Sequence, residues 1–258
     1  MKFDLPFTPI RPNLYSPSEL YHGLSRNAGS FLTTPDFAIY SFWVKSGRSR
    51  PTDFLTPMMQ ALHDNSITQA LLEFVADKQV VAIMGGHDLS RNDPDYAKIV
   101  QIAREFTKSG RLVMSGGGPR AMEAAHFGSW FAHAKKKNLS AALERMSKSR
   151  PFPPRAGNVV APDGTVDAKV ADALFEWLRL ALTVKEDLTD KPGDSLGVPT
   201  WQYGHEPATP FASSIAKYFE NSVREDGSGP HRQCRDRLRT GQRGNDSGDF
   251  SGCLRQFL

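Results

Sequence analysis

The chain has little cysteine and no long hydrophobic run. Cys234 and Cys253 are the only cysteines among its 258 residues, and both lie after residue 226. The first 226 residues can therefore hold no disulfide. Because no stretch of about 18 apolar residues occurs, we expect no membrane-spanning helix. The N-terminal segment MKFDLPFTPIRPNLY also lacks the apolar core of a secretory signal, so we expect a cytoplasmic protein.

The chain also has little net charge outside its last segment. Its net charge is +4, from 32 lysines and arginines against 28 aspartates and glutamates. Residues 227–258 hold six arginines and three aspartates, which account for +3 of that total. The preceding residues are therefore close to neutral, and a nucleic-acid partner is not expected. Binding of nucleic acid through the basic tail stays an alternative.

Short apolar runs that end in glycine indicate buried parallel strands. Residues 79–84 (QVVAIM) lead into Gly85 and Gly86, and residues 111–115 (RLVMS) lead into Gly116. Runs of this kind are typical of strands covered on both faces. Residues 95–108 between them carry an apolar stripe at helical spacing. A strand–helix–strand unit with glycine-rich joints predicts an α/β fold with a parallel sheet.

Local patterns predict further elements and three regions of the chain. The further elements are a strand at 37–44, a helix that begins at a capping box of Ser66 and Gln69, a helix at 167–182, a strand at 197–203 and a helix at 211–223. Residues 1–64 are predicted to be an extension that packs on the core, and residues 65–226 to be the α/β domain. Residues 227–258 have little apolar periodicity and are predicted to be an aberrant, disordered tail.

Two of the strand-to-helix turns, residues 84–87 and 116–119, are rich in glycine. Glycine lets a phosphate approach main-chain N–H groups at a helix N-terminus. Gly116, Gly118 and Ala121 fit G-x-G-x-x-A, but no acidic residue about 20 positions later would bind a ribose. A mononucleotide or sugar-phosphate site is therefore favoured. A nicotinamide-dinucleotide site, or glycines that serve only close packing, stay open.

The strings MGGHDLSRND and VMSGGGPRAMEAAHFG together resemble the LONELY GUY family and its nucleoside monophosphate nucleosidase relatives. The resemblance covers about residues 65–226 and implies a Rossmann-like, three-layer fold with a parallel sheet. The positions that match the family's glycine motif are Gly116, Gly117, Gly118, Pro119, Met122, Glu123, Ala124 and Gly128. Arg120 departs from the motif, since it stands where the family has a fourth glycine.

The resemblance implies an activity and its residues. Such enzymes hydrolyse the N-glycosidic bond of a nucleoside 5′-monophosphate and release the free base and ribose 5-phosphate, without a cofactor. Arg224 is implied as the catalytic arginine. The residues implied to bind substrate are Gly85, Gly86, His87, Gly116, Gly117, Gly118, Pro119, Arg120, Met122 and Glu123. Related proteins form dimers, so a homodimer is also implied.

One element of the family is missing from the chain. Its second motif, PGGxGTxxE, supplies a catalytic carboxylate and a second phosphate loop, and it occurs nowhere in this sequence. If the codons from Gly227 onward are read one nucleotide forward, they permit GLARIANVVIAFAPGSAGTIQEIFQDA. That string contains an apolar strand and the motif with one substitution. We therefore hypothesise that residues 227–258 arise from a shifted reading frame. The C-terminal strands are then missing or aberrant, and the chain is expected to be inactive.

Two other functions stay open at this point. One is a protein that binds nucleotides without catalysis, and the other is an NADP-dependent enzyme. A metal site is not expected, because His126 and His133 have no third ligand at a suitable spacing.

Overall fold

The computed structural model describes residues 5–85, 88–187 and 191–226. Four helical segments precede the first strand, and helices then separate most of the strands. In chain order the elements are α1 (Pro17–Leu20), a 3₁₀ helix (Ala28–Thr33), α2 (Pro35–Lys45), α3 (Leu55–Val75), β1 (Val80–Ala82), α4 (Pro94–Lys108), β2 (Leu112–Ser115), α5 (Ala121–Trp130), α6 (Lys136–Ser147), a 3₁₀ helix (Ala156–Asn158), α7 (Ala168–Glu186), β3 (Ser195–Gly197), β4 (Ser214–Ile215) and α8 (Asn221–Asp226).

The four strands form one parallel sheet in the order β1-β2-β3-β4. Val80 pairs with Leu112, and Val113 pairs with Ser195. Tyr15 adds an antiparallel bridge to Ile215. Because every strand is parallel, all the carboxyl ends meet at one edge of the sheet, where α/β proteins bind their ligands.

Helices cover both faces of the sheet. Leu112 and Met114 face a core that contains residues of α2, α3 and α7, whereas Val113 faces a second core built largely from α4, α5 and α6. This alternation along β2 follows from the pleat of a strand. The result is a three-layer, Rossmann-like α/β fold, as predicted.

The strand–helix unit at the centre of the fold was predicted correctly. β1, α4, β2 and α5 lie where the apolar runs and the glycine joints indicated. The helix predicted at 167–182 is α7, and the Asp167 side chain caps its first turn. α4 and α5 can approach closely because Gly128 has no side chain. A Cβ atom at this position would lie 2.2 Å from the Val100 carbonyl oxygen.

The strand predicted at residues 37–44 is wrong, because this segment is helix α2. Pro35 occupies the first turn, and Thr34 Oγ1 accepts a hydrogen bond from the N–H of Phe37 at 3.4 Å. A threonine cap followed by proline is a helix start. Most sides of α2 are buried, so its sequence is apolar almost throughout. The apolar residues therefore show no helical periodicity that would have distinguished this segment from a strand.

The helix start predicted at Ser66 is also wrong. Helix α3 begins at Leu55, where Asp53 Oδ1 accepts from the backbone N–H groups of Leu55 and Thr56. Ser66 lies within α3, and its hydroxyl accepts from the N–H of Arg11 at 3.1 Å. α3 also runs across residue 65, the predicted domain boundary.

The two predictions nearest the C-terminus need correction as well. The strand expected at 197–203 is β3, Ser195–Gly197, and beyond Pro199 the pairing continues as an isolated parallel bridge of Thr200 with Tyr218. The helix expected at 211–223 is instead the short strand β4 followed by the short helix α8. Pairing of β4 with β3 and with Tyr15 overrides any helical preference of this segment.

The predicted tail, residues 227–258, lies outside the described residues. The structure therefore does not test the shifted reading frame.

Candidate functional site

The glycine loop, residues 116–119, joins β2 to α5 at the carboxyl edge of the sheet. Gly117 has a φ of 70°, and a Cβ atom there would lie 2.9 Å from the Cα of Gly197. Glycine alone fits so close to the neighbouring strand. The N–H of Gly117 donates to Ser115 Oγ at 3.1 Å, and its carbonyl accepts from the N–H of Thr209 at 2.8 Å. These contacts fix the loop against the end of β3.

Met122 lies over the loop. A Cβ atom at Gly116 would be 2.6 Å from Met122 Sδ, and one at Gly118 would be 2.9 Å from Met122 Cε. The position of this side chain therefore depends on both glycines. Pro119 is buried at the end of the loop.

His126 lies beneath the loop in a buried hydrogen-bond chain. Its Nε2 is 2.8 Å from Ser115 Oγ, and its Nδ1 is 2.9 Å from Ser195 Oγ. Burial lowers the pKa of His126 to about 3, so the ring is neutral at physiological pH. The chain connects β2, α5 and β3, and through Ser115 it reaches the N–H of Gly117.

Arg224 of α8, which the resemblance implied as the catalytic arginine, lies beside this loop. Its Nη1 lies 3.5 Å from the carbonyl oxygen of Val198, and its guanidinium lies 5.5 Å from the ring centre of Tyr203. The same nitrogen would be 3.9 Å from a Cβ atom at Gly116. A cation is thereby placed beside the loop by a segment more than 100 residues further along the chain.

Asp64 fixes the segment that leads to Arg224. Its two carboxylate oxygens accept from the backbone N–H groups of Phe219 and Glu220, at 3.0 and 2.8 Å. Asp64 Oδ1 also lies 2.9 Å from His63 Nδ1, and His63 Nε2 lies 2.7 Å from the hydroxyl of Tyr15. This buried network ties the N-terminal region to the start of α8.

Glu206 is a site residue that sequence reasoning missed. Its Oε2 lies 3.3 Å from where a Cβ atom of Gly118 would be, so the carboxylate borders the glycine loop. Glu206 follows β3 in the chain, and the exit of a parallel strand was the signal that could have indicated it. The prediction of a longer strand at 197–203 obscured that signal.

Glu123 has a supporting position. It is completely buried, and its carboxylate accepts from Arg91 Nε at 2.7 Å, Arg91 Nη2 at 2.6 Å and the hydroxyl of Tyr96 at 3.1 Å. Burial raises the pKa of Tyr96 well above its usual value, so the phenol stays a donor. Glu123 therefore holds the segment after β1 against α5 and does not face an open cavity.

Three other residues were predicted at the end of β1. Gly85 approaches the start of α5 so closely that a Cβ atom there would lie 2.4 Å from the Cβ of Ala121. Gly86 and His87 lie outside the described residues. The structure thus brings one glycine of the first turn against the helix that follows the second.

Arg120, the last of the predicted binding residues, borders a different opening. A cavity of about 220 Å³ lies among residues 88–92, Arg120, residues 149–152 and Trp177. The guanidinium of Arg91 stacks over the Trp177 ring, 3.8 Å from its centre, and donates to the Trp177 carbonyl oxygen at 3.1 Å. This contact shapes one wall of the cavity.

Within the described ranges, no group of three or more histidine, cysteine, aspartate or glutamate side chains is arranged to hold a metal ion. His126 is engaged with serines, and His133 is exposed beyond the end of α5. The same residues include no helix that is both long and apolar enough to span a membrane.

Comparisons of the chain with models of known protein families, with curated proteins and with solved structures found no match.

Proposed function

We propose that residues 65–226 bind a nucleoside 5′-monophosphate at the glycine loop. The observation that carries this proposal is the convergence of Arg224 and Glu206 on Gly116 and Gly118 at the carboxyl edge of a parallel sheet. A glycine-rich turn at the N-terminus of a helix is suited to an anionic group, and so is a guanidinium. The carboxylate of Glu206, which borders the same loop, can accept hydrogen bonds from ribose hydroxyls.

The resemblance to LONELY GUY enzymes supports a reaction for this site. Water would replace the base at the anomeric carbon of the nucleotide, and the products would be the free base and ribose 5-phosphate. The transition state carries positive charge on the sugar, which a nearby carboxylate stabilises. The family's carboxylate belongs to the motif that this chain lacks. We therefore propose that the chain binds nucleotide but does not turn it over.

A cytoplasmic homodimer is part of the same proposal, and one exposed surface supports the dimer. Phe54, Met58 and Leu62 lie four residues apart at the start of α3 and are 79%, 43% and 42% exposed. Side chains at this spacing share one face of a helix. An exposed apolar stripe of this kind is typical of a surface that another protein copy covers.

The test is equilibrium binding of AMP to the full chain, together with a chromatographic assay for free adenine. We expect saturable binding and no adenine release. Arg224→Gln should weaken AMP binding by about tenfold or more, since it removes a charged partner. Lys98→Gln, which alters an exposed lysine on α4, is the control and should leave binding unchanged.

Three outcomes would contradict the proposal. They are no AMP binding, equal AMP binding by the Arg224→Gln variant, and tight binding of NADPH in preference to AMP. Adenine release by this chain would refute the predicted loss of turnover. Sequencing the gene around the codons for Gly227 and Ser228 tests the shifted reading frame directly. The protein made from a gene with the frame restored should release adenine from AMP.

A further inference from the structure

Arg120 has a backbone conformation that is unfavourable for its residue type. It precedes α5 with a φ of 71° and a ψ of −128°. Glycine adopts a positive φ freely, whereas an L side chain meets steric strain there. Strained residues persist when the surrounding structure holds them in place, and they cluster at sites of function. A glycine would relieve this strain, which makes position 120 a candidate for a functional side chain.

The side chain of Arg120 borders the 220 Å³ cavity described above. Four separate stretches of the chain build this cavity: the segment after β1, the residue before α5, the loop after α6 and Trp177 of α7. The guanidinium of Arg120 lies 5.5 Å from the ring centre of Phe152. Arg150 and Asp88 also line the cavity and bring one further charge of each sign.

The charges around the cavity leave an excess of positive charge. Arg91 is neutralised by the buried carboxylate of Glu123. In the described part of the chain, neither Arg120 nor Arg150 forms an ion pair or a side-chain hydrogen bond. Among the residues that line the cavity, two arginines without a carboxylate partner therefore stand against one carboxylate, that of Asp88.

We propose that this cavity is a second anion site, separate from the Arg224 side of the glycine loop, and that it binds a phosphorylated sugar. Guanidinium groups bind phosphate through paired, charge-assisted hydrogen bonds. Arg120 and Arg150 would hold the phosphate. Asp88 would accept hydrogen bonds from sugar hydroxyls, which explains a carboxylate in an anion site. The ring of Phe152 offers the sugar an apolar wall.

The test is calorimetric binding of ribose 5-phosphate and of inorganic phosphate to the full chain. Arg120→Gly and Arg150→Gln should each weaken ribose 5-phosphate binding by about tenfold or more. Because glycine suits the backbone at position 120, the urea midpoint of the Arg120→Gly variant should equal or exceed that of the parent chain. Loss of binding could then not be ascribed to unfolding.

The Asp88→Asn variant distinguishes the contribution of the sugar to binding from that of the phosphate. Removal of the carboxylate should weaken binding of ribose 5-phosphate, whose hydroxyls lose an acceptor, and strengthen binding of inorganic phosphate, which loses a repulsive neighbour. Equal changes for the two probes would overturn the role of Asp88.

Lys98→Gln, which alters an exposed lysine on α4, is the control and should leave ribose 5-phosphate binding within about twofold. Unchanged binding in Arg120→Gly, or no binding of either probe to the parent chain, would overturn the second site. The proposed nucleotide site is judged separately by AMP binding. A chain that binds ribose 5-phosphate through Arg120 but does not bind AMP would refute the proposed function and support the second site.

Discussion

His126 and His205 are both completely buried, yet their rings have opposite surroundings. Both ring nitrogens of His126 lie within 2.9 Å of serine hydroxyls. Among the described residues, neither ring nitrogen of His205 has a hydrogen-bond partner. Its ring contacts Phe31, Phe37 and Tyr40, with ring centres 5.0 to 5.4 Å apart.

The difference shows that burial alone does not define the role of a polar side chain. His126 completes a network that positions the N–H of Gly117 in the glycine loop. A satisfied buried network specifies one arrangement of its surroundings. His205 makes no such link, and its unpaired nitrogens cost free energy. It lies near the buried ion pair of Asp36 and Lys217, whose atoms are 2.7 Å apart.

The largest expected effect that tests this comparison is a loss of stability in acid. Burial lowers the pKa of His126 to about 3 and that of His205 to about 4. For His205, Asp36 raises the pKa and Lys217 lowers it, and both effects are smaller than that of burial. The unfolded chain binds these protons near pH 6.5. As the pH falls from about 6.5 to 4, each histidine should therefore remove about 1.4 kcal/mol of unfolding free energy per pH unit.

Above about pH 6.5 the histidine contribution is complete and constant. Urea unfolding between pH 7.5 and 4.5 measures the profile. The His205→Leu variant should lose about half of the histidine slope below pH 6.5. The same slope in the parent and the variant would show that His205 is not held neutral by the fold.

The next largest effect is expected for His126→Leu at pH 7.5. The substitution leaves the hydroxyls of Ser115 and Ser195 without their shared partner, and unfolding free energy should fall by about 2 to 4 kcal/mol. Urea unfolding gives this value. A change below about 0.5 kcal/mol would mean that the serine network adds nothing to stability.

The smallest effect is expected for His205→Leu at pH 7.5, and it has the opposite sign. Leucine has a similar size, and it removes two polar atoms that lack partners in an aromatic environment. Unfolding free energy should rise by about 1 kcal/mol. A loss as large as that of His126→Leu would erase the distinction between the two histidines.

The central part of the fold could be predicted from local patterns. β1 and β2 are continuous apolar runs, and the glycines after them mark sharp turns into helices. The family resemblance implied Arg224 as the catalytic arginine; the structure places its side chain beside the glycine loop, and its role stays a prediction. The predictions of these strands and turns succeeded because the relevant signals lie within a few residues of one another.

Other parts of the fold and site could not be predicted in this way. β4 is only two residues long and depends on β3 and on Tyr15, which is about 200 residues away in the chain. Glu206 reaches Gly118 only because the chain after β3 folds back over the loop. Sequence patterns do not encode such pairings, because the free energy that decides them comes from distant partners.

The sequence by itself determined the parallel α/β core, the glycine loop and the neutral character of the chain before residue 227, because periodicity, glycine content and charge are local properties. The tertiary structure alone decided which polar groups are paired. No sequence pattern distinguishes His126 from His205. In the described part of the fold, His126 belongs to a satisfied hydrogen-bond network, whereas the ring nitrogens of His205 lack partners among aromatic side chains. Hydrogen bonds and ion pairs of this kind depend on distances between segments that only the folded chain sets.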